Sequence, residues 1–249
     1  MESSAPNNIC ANCGKGEEES VNLKKCVACK MVKYCSRECQ KAHRPQHKKA
    51  CKKRAAELYD EKLFKDPPPP DECPVCLLLP DPNEERQPAF HPCCGKIICY
   101  GCINSMQMNE EKYLCPFCRE PNATSDNEHI KRTKKLMEKG DAEAFGFLAF
   151  SYGTGIMGMP QDYQKANELY LKAGELGSSE AYYNLGISYD QGRGMEVDKK
   201  KAKHYHELAA MGGDIHARFH LGVSEGKAGN SQRSLSTFLL QQGQGTRDH

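Results

Sequence analysis

Cysteines recur in this sequence at the spacings that soft divalent metals require. Five Cys-x2-Cys pairs occur: Cys10/Cys13, Cys26/Cys29, Cys73/Cys76, Cys99/Cys102 and Cys115/Cys118. Two intervening residues let one tight turn aim both sulfurs at a single tetrahedral ion, with Zn–S near ~2.3 Å. Cys35-x3-Cys39 and His47-x3-Cys51 achieve the same on a helix, where positions i and i+4 share a face. The competing use of Cys-x2-Cys is a redox dithiol, but no thioredoxin-like βαβ pattern accompanies the five pairs. Disulfides do not account for them either, because the total of fifteen is odd and thiols of a reducing compartment stay reduced.

Counting then partitions the ligands. Cys10, Cys13, Cys26, Cys29, Cys35, Cys39, His47 and Cys51 complete two four-ligand sites, and Cys73, Cys76, Cys93, Cys94, Cys99, Cys102, Cys115 and Cys118 complete two more. Sixteen positions fill without remainder, so the expected cofactor is Zn2+, four ions per chain. One stretch, FHPCCGKIICYGCI at 90–103, admits two assignments. In the all-cysteine one, Cys93 and Cys94 both coordinate; in its rival, His91 joins one of them and the other thiol is free. The first is adopted here, since a thiolate that neutralises Zn2+ amply replaces a neutral imidazole.

Residues 10–51 resemble the MYND finger in the order of their ligands, in Tyr34 before the fifth one and in the Cys39-Gln40 pair. The resemblance implies interleaved sites, with Cys10, Cys13, Cys35 and Cys39 on one zinc and Cys26, Cys29, His47 and Cys51 on the other. MYND fingers generally bind proline-rich peptides, and Gln40 stands where the family presents a peptide-contacting side chain. The sequence departs from the family at Arg44, a position often occupied by tryptophan. A segment of this size cannot fold on its core alone, and zinc would contribute on the order of 10–16 kcal/mol of apparent binding energy to its folding.

Residues 73–119 resemble an all-cysteine RING-type finger, from CPVC through the adjacent Cys93-Cys94 pair to CPFCR, with Lys96 where such a finger normally has a metal-binding histidine. The resemblance implies Cys73, Cys76, Cys99 and Cys102 on one zinc and Cys93, Cys94, Cys115 and Cys118 on the other. RING domains commonly act as ubiquitin ligases by docking a ubiquitin-charged conjugating enzyme. On that likeness Val75 supplies an apolar contact, Pro116 follows the seventh ligand, and Arg119 is the cation bridging conjugating enzyme and ubiquitin. Arginine suits that task because its planar fork can donate to carbonyls of both partners.

The elements that must hold these residues follow from the rest of the composition. The chain has 249 residues, 38% hydrophobic, with no tryptophan, which favours several small units over one large core. Its cysteines all precede residue 119, so the second half must rest on ordinary packing. The opening MESSAPNN lacks an apolar h-region and no run of about 18 apolar residues occurs, which predicts an intracellular protein, cytoplasmic or nuclear, with no membrane span. Residues 24–54 hold twelve Lys or Arg against one acid, Glu38. Part of that charge compensates the net −2 or −1 of thiolate-bound zinc, and base-stacking aromatics are almost absent, which argues against nucleic acid as a partner. KRAAELYDEKLF reads as a short amphipathic helix, and KDPPPPDE as a stiff polyproline spacer, together a linker over 52–72.

Beyond a linker or leading helix at 120–140, the sequence repeats itself. AEAFGFLAFSYGTG at 142–155 matches SEAYYNLGISYDQG at 179–192, DYQKANELYLKAGELG at 162–177 matches DKKKAKHYHELAAMGG at 198–213, and a third copy begins at DIHARFHLG, 214–222. Apolar residues at three- and four-residue intervals and glycines at the turns predict two helices per copy, with Tyr152, Tyr170 and Tyr189 in the core. The pattern resembles Sel1-like repeats, relatives of the tetratricopeptide family, which implies an α-solenoid over 141–242 that binds proteins on a concave face. SLSTFLLQQGQGTRDH stands in the last copy's second helix as a divergent cap or a truncated repeat.

The fold class is thus two small binuclear zinc fingers followed by an all-α solenoid of helix pairs. The leading expectation is a ligase or ligase subunit with no covalent catalytic residue. Its partners would be a conjugating enzyme and a substrate or scaffold; the rival is a non-enzymatic adaptor. A lysine methyltransferase, which MYND fingers often accompany, is set aside because no SET-like motif or strand-rich region is present.

Overall fold

The computed structural model describes residues 8–17, 22–66, 68, 71–79, 88–107 and 114–231. They divide into two compact units, residues 1–65 and 66–249. No helix among the described residues is long and apolar enough to cross a membrane.

The first unit joins a small antiparallel pair, β1 (Lys24–Lys25) and β2 (Lys33–Tyr34), to one long helix, α1 (Arg37–Leu63). The side chain of Ser36 caps α1 by accepting from the Cys39 amide, with Glu38 in the first turn. The sequence reading placed a separate short helix after Cys51; instead that segment is the C-terminal half of α1. Nothing between Cys51 and Lys52 breaks the helix, and Arg54 pairs with Glu57 and Glu61 along its exposed side. The unit's core is mostly its own cysteines: Cys10, Cys26 and Cys29 are buried with Leu23 and Tyr34.

The second unit begins with a cysteine module. Its hairpin, β3 (Ala89–His91) and β4 (Lys96–Ile98), pairs Phe90 with Ile97 and leads into α2 (Tyr100–Gln107). Ile98, fully buried with Cys73 and Cys115, is the main noncysteine element of this core. α3 (Asp126–Glu138) follows, within the segment expected as a leading helix, and its Ile130 joins the core of the repeats.

Those repeats are α4 (Ala142–Thr154), α5 (Tyr163–Glu175), α6 (Ser179–Gln191), α7 (Lys199–Met211) and α8 (Ile215–Lys227), each 13 residues long. An Asp or Ser caps every one: Asp141, Asp162, Ser178, Asp198 and Asp214 each accept from a backbone amide in the first turn. α4 and α6 end at left-handed Gly155 and Gly192, as the repeated glycines predict. Leu148, Ala149, Ala166, Ala173, Ala181 and Leu185 form the core with Tyr152 and Tyr170, and Tyr189 packs against it. The third copy diverges: Arg218 and Glu225 stand where earlier copies have aromatics, and the Glu225 carboxylate takes the Lys203 ammonium at 2.5 Å. The stretch SLSTFLLQQGQGTRDH lies outside the described residues.

Candidate metal centres

Four Cys-x2-Cys pairs fold into the same turn. After the second cysteine of each, Gly14, Lys30, Leu77 and Arg119 adopt φ of 73°, 58°, 59° and 64°. Their amides donate back to the carbonyls of Cys10, Cys26, Cys73 and Cys115 at 2.9, 3.0, 2.8 and 3.0 Å. Left-handed backbone is costly for Lys, Leu and Arg, so three such residues at equivalent places mark a turn held by something stronger than local preference. The fifth pair, Cys99 and Cys102, sits instead at the start of α2.

These turns and helices gather sixteen donors into four groups, within each of which the ligand atoms lie within 4.8 Å of one another. The groups are Cys10, Cys13, Cys35 and Cys39; Cys26, Cys29, His47 and Cys51; Cys73, Cys76, Cys99 and Cys102; and Cys93, Cys94, Cys115 and Cys118. Each module is cross-braced, its first and third sequence pairs sharing one group. Sulfurs on a tetrahedral zinc stand about 3.8 Å apart for Zn–S near ~2.3 Å. The observed separations run from 3.4 Å for Cys93–Cys118 and 3.5 Å for Cys35–Cys39, through 3.8 Å for Cys26–Cys51 and Cys76–Cys99, to 3.9 Å for Cys73–Cys102 and Cys94–Cys115. Cys29 Sγ lies 3.3 Å from Nε2 of His47.

The electrostatics also call for a cation. Burial pushes the Cys10, Cys26 and Cys73 thiols up, yet amide donors of their own turns, joined by the Cys35 amide, the His47 ring and the Cys99 amide respectively, outweigh it and bring each down to about 6. Their neighbours move oppositely. Hydrogen bonds to Cys13 and Cys39 push Cys35 up to about 12, while burial and contacts with Cys26 and Cys29 push Cys51 up to about 11. Burial and the Cys115 charge raise Cys94 to about 11, and burial and Cys118 raise Cys93 as well. One thiolate per group is welcome and the rest repel it, a frustration that a divalent ion relieves. The donor sets, all thiolate or three thiolates with an imidazole, fit Zn2+.

The adjacent cysteines both belong to the fourth group. His91 is outside it: its carbonyl accepts from the amides of Cys94 and Gly95, and its half-buried ring meets the Asn122 side chain. Gly95, at φ 71°, lies against the carboxylate of Asp141. Lys96 is exposed on β4, opposite His91. Val75 is 39% exposed rather than in a core, as are Leu77 and Leu78 beside it at 68% and 67%. Pro116 is half-buried, and exposed Arg119 reaches the Met106 sulfur at 3.7 Å. Gln40 and Arg44 are exposed on α1.

Sequence reasoning missed His43, whose Nδ1 meets the Tyr34 hydroxyl at 3.0 Å and whose ring stacks on His47 with centroids 5.6 Å apart. Its spacing of four from His47 was the available signal. It also missed Glu143 and Glu180, the same repeat position in successive copies.

Residues 10–51 match the family model of the MYND finger, and residues 146–178 and 179–214 match that of the Sel1 repeat. The SET domain and MYND-type zinc finger protein 6 of Schizosaccharomyces pombe is 47% identical over 45 residues, 18% of this chain. The match spans only 9% of that relative's length. A Sel1 repeat protein from Oxalobacter formigenes is 31% identical with a TM-score of 0.45, over 48% of this chain and 50% of that one. A protective antigen of uropathogenic Escherichia coli with an SLR fold is 24% identical at a TM-score of 0.47, over 51% of this chain and 28% of that one. The chain therefore carries a MYND zinc finger and Sel1 repeats, both protein-interaction modules, and four clusters suited to zinc.

Proposed function

We propose that this protein is a zinc-dependent RING-type ubiquitin ligase, or a subunit of one, whose repeats recruit a protein substrate or scaffold. The domains would be the MYND finger at 10–51, a linker to 72, the RING finger at 73–119, a leading segment to 140 and the repeats to 242. The sixteen grouped donors would be the ligands of four zinc ions, and Gln40 a peptide contact of the first finger. The observation that carries the ligase reading is the cross-braced grouping of the second module's eight cysteines, with Val75 and Arg119 exposed on its turns. The module would hold a ubiquitin-charged conjugating enzyme against Val75 and Pro116. Arg119 would donate to carbonyls of both enzyme and ubiquitin and so fix the thioester for attack by a substrate amine. No residue of this chain would carry ubiquitin as a covalent catalytic intermediate.

A second reading, a non-enzymatic adaptor, is favoured by the fact that both family-matched modules are docking modules. Autoubiquitination with a panel of conjugating enzymes separates the two. Wild type should discharge ubiquitin with at least one enzyme, and Arg119→Ala should slow discharge several-fold at unchanged zinc content. Alanine inherits the same left-handed backbone as arginine, so the loss would be of the fork alone. Unchanged discharge removes Arg119 from the mechanism; no discharge with any enzyme leaves the adaptor.

A further inference from the structure

A groove of about 660 Å3 separates the β3–β4 hairpin from the helices of the first two repeats. The cross-strand pair Phe90 and Ile97 forms one wall, and Phe147 and Phe150 of α4 form the other. Phe147 is already committed, stacked on Phe90 at 5.1 Å and tilted against His129 at 4.8 Å, and it ties hairpin to helices. Phe150 and Ile97 are not, with 49% and 41% of their surface exposed. An apolar groove of this volume is the size of a peptide subsite.

Two carboxylates line it, Glu143 from α4 and Glu180 from α6. Among the described residues neither takes part in an ion pair. Burial, then Glu180, Asp141 and Asp71, push Glu143 up to about 7. Glu180, although exposed on α6, is raised by partial desolvation and by Asp214, and His216 lowers it. His129, the other base at the groove, has an Nδ1 with no hydrogen-bond partner, and burial holds it below the usual imidazole range. Lys96 lines an adjoining depression with Asp71, Glu72 and Glu143, and among the described residues forms no ion pair with Glu143. The groove is thus apolar on its walls and carries two carboxylates that no cation pairs among the described residues.

We propose that this groove binds an extended segment of a partner protein in which a lysine or arginine lies next to a large apolar side chain. The cation would sit between Glu143 and Glu180, and the apolar side chain between Ile97 and Phe150. This deepens the reading of the repeats as a recruitment surface and rests on it. The two unpaired carboxylates, Glu143 half-buried and Glu180 exposed, favour a cation and reject an acidic segment, so charge supplies the selectivity and the aromatic walls the contact area.

The test uses full-length, zinc-loaded protein and a library of capped hexapeptides with Arg, Lys, Glu or Gly fixed beside Leu, Phe or Gly, read by fluorescence anisotropy. Arg or Lys beside Leu or Phe should bind best, and Glu beside either should not bind. Glu143→Gln with Glu180→Gln should weaken the best peptide about ten-fold or more, at unchanged zinc content and melting temperature. Phe150→Ala should weaken it too, and that exposed position spares the fold. Equal binding of Arg beside Gly, or binding indifferent to the two Gln changes, overturns the proposal. So does a wild type that binds nothing until Arg86→Ala is introduced, since the occupant would then be this chain's own 80–87 segment. Binding is measured without conjugating enzyme, so a failed ligase assay leaves this result standing, and failed peptide binding leaves the ligase reading untouched.

Discussion

Gly95 is where the second cysteine module meets the repeats, and Gly95→Ala tests whether that junction is mechanical. An added Cβ would run into Oδ2 of Asp141 and come within 3.2 Å of its Cγ and 3.5 Å of Leu136 Cδ1. Asp141 cannot yield freely, because its Oδ1 accepts from the Ala144 amide at 2.9 Å and caps α4. Two costs follow. Alanine at φ 71° is disfavoured by about 1–2 kcal/mol, and a displaced cap loses about 1 kcal/mol. The variant should therefore lose roughly 2–3 kcal/mol in urea unfolding of zinc-loaded protein, with zinc content unchanged. Asp141→Ala alone should lose about 1 kcal/mol. In that background Gly95→Ala should cost only the backbone term, so the double variant should fall short of additivity by about 1 kcal/mol. Additivity within about 0.5 kcal/mol would mean that the collision is relieved elsewhere and the junction does not bear on the cap.

Two further outcomes are expected. Alkylation of folded, zinc-loaded protein should modify no cysteine; Cys93→Ser and Cys94→Ser should each release about one zinc of four, and His91→Ala none. A single adduct at Cys93 or Cys94 in wild type would overturn the assignment. His206, 2% exposed and with neither ring nitrogen hydrogen-bonded, is depressed to about 4 by burial and then by His220. The unfolded chain therefore binds that proton first: stability is complete above about pH 6.5 and declines as pH falls toward 4. By pH 5.5 the loss is about 1.4 kcal/mol, which His206→Phe should abolish in urea titrations at pH 8 and 5.5 with excess zinc; equal pH dependence of variant and wild type would refute it.

The metal-capable residues and the repeats were legible in advance because both are local codes. A Cys-x2-Cys turn places two sulfurs together whatever surrounds it, and the caps Asp141, Ser178 and Asp214 announce their helices within four residues. The burial of Tyr152 and Tyr170 followed from a 3.6-residue period. Which pairs share an ion was legible only through family likeness, since spacing is silent on long-range pairing. The length of α1 was misjudged because a ligand at Cys51 suggested a boundary where the backbone has none.

By itself, then, the sequence determined the candidate ligand types, their short-range pairing, the number of four-donor groups they can make and the helical period of the second half. The tertiary structure alone decided that His91 turns away while Cys93 and Cys94 both face the fourth group, and that Gly95 lies on a helix cap. It also brought Phe90 and Ile97 from between zinc-site residues to face Glu143 and Glu180. The reason is physical: coordination and helix capping act over a few residues, whereas burial, uncompensated charge and close approach depend on what distant chain segments bring to the same place.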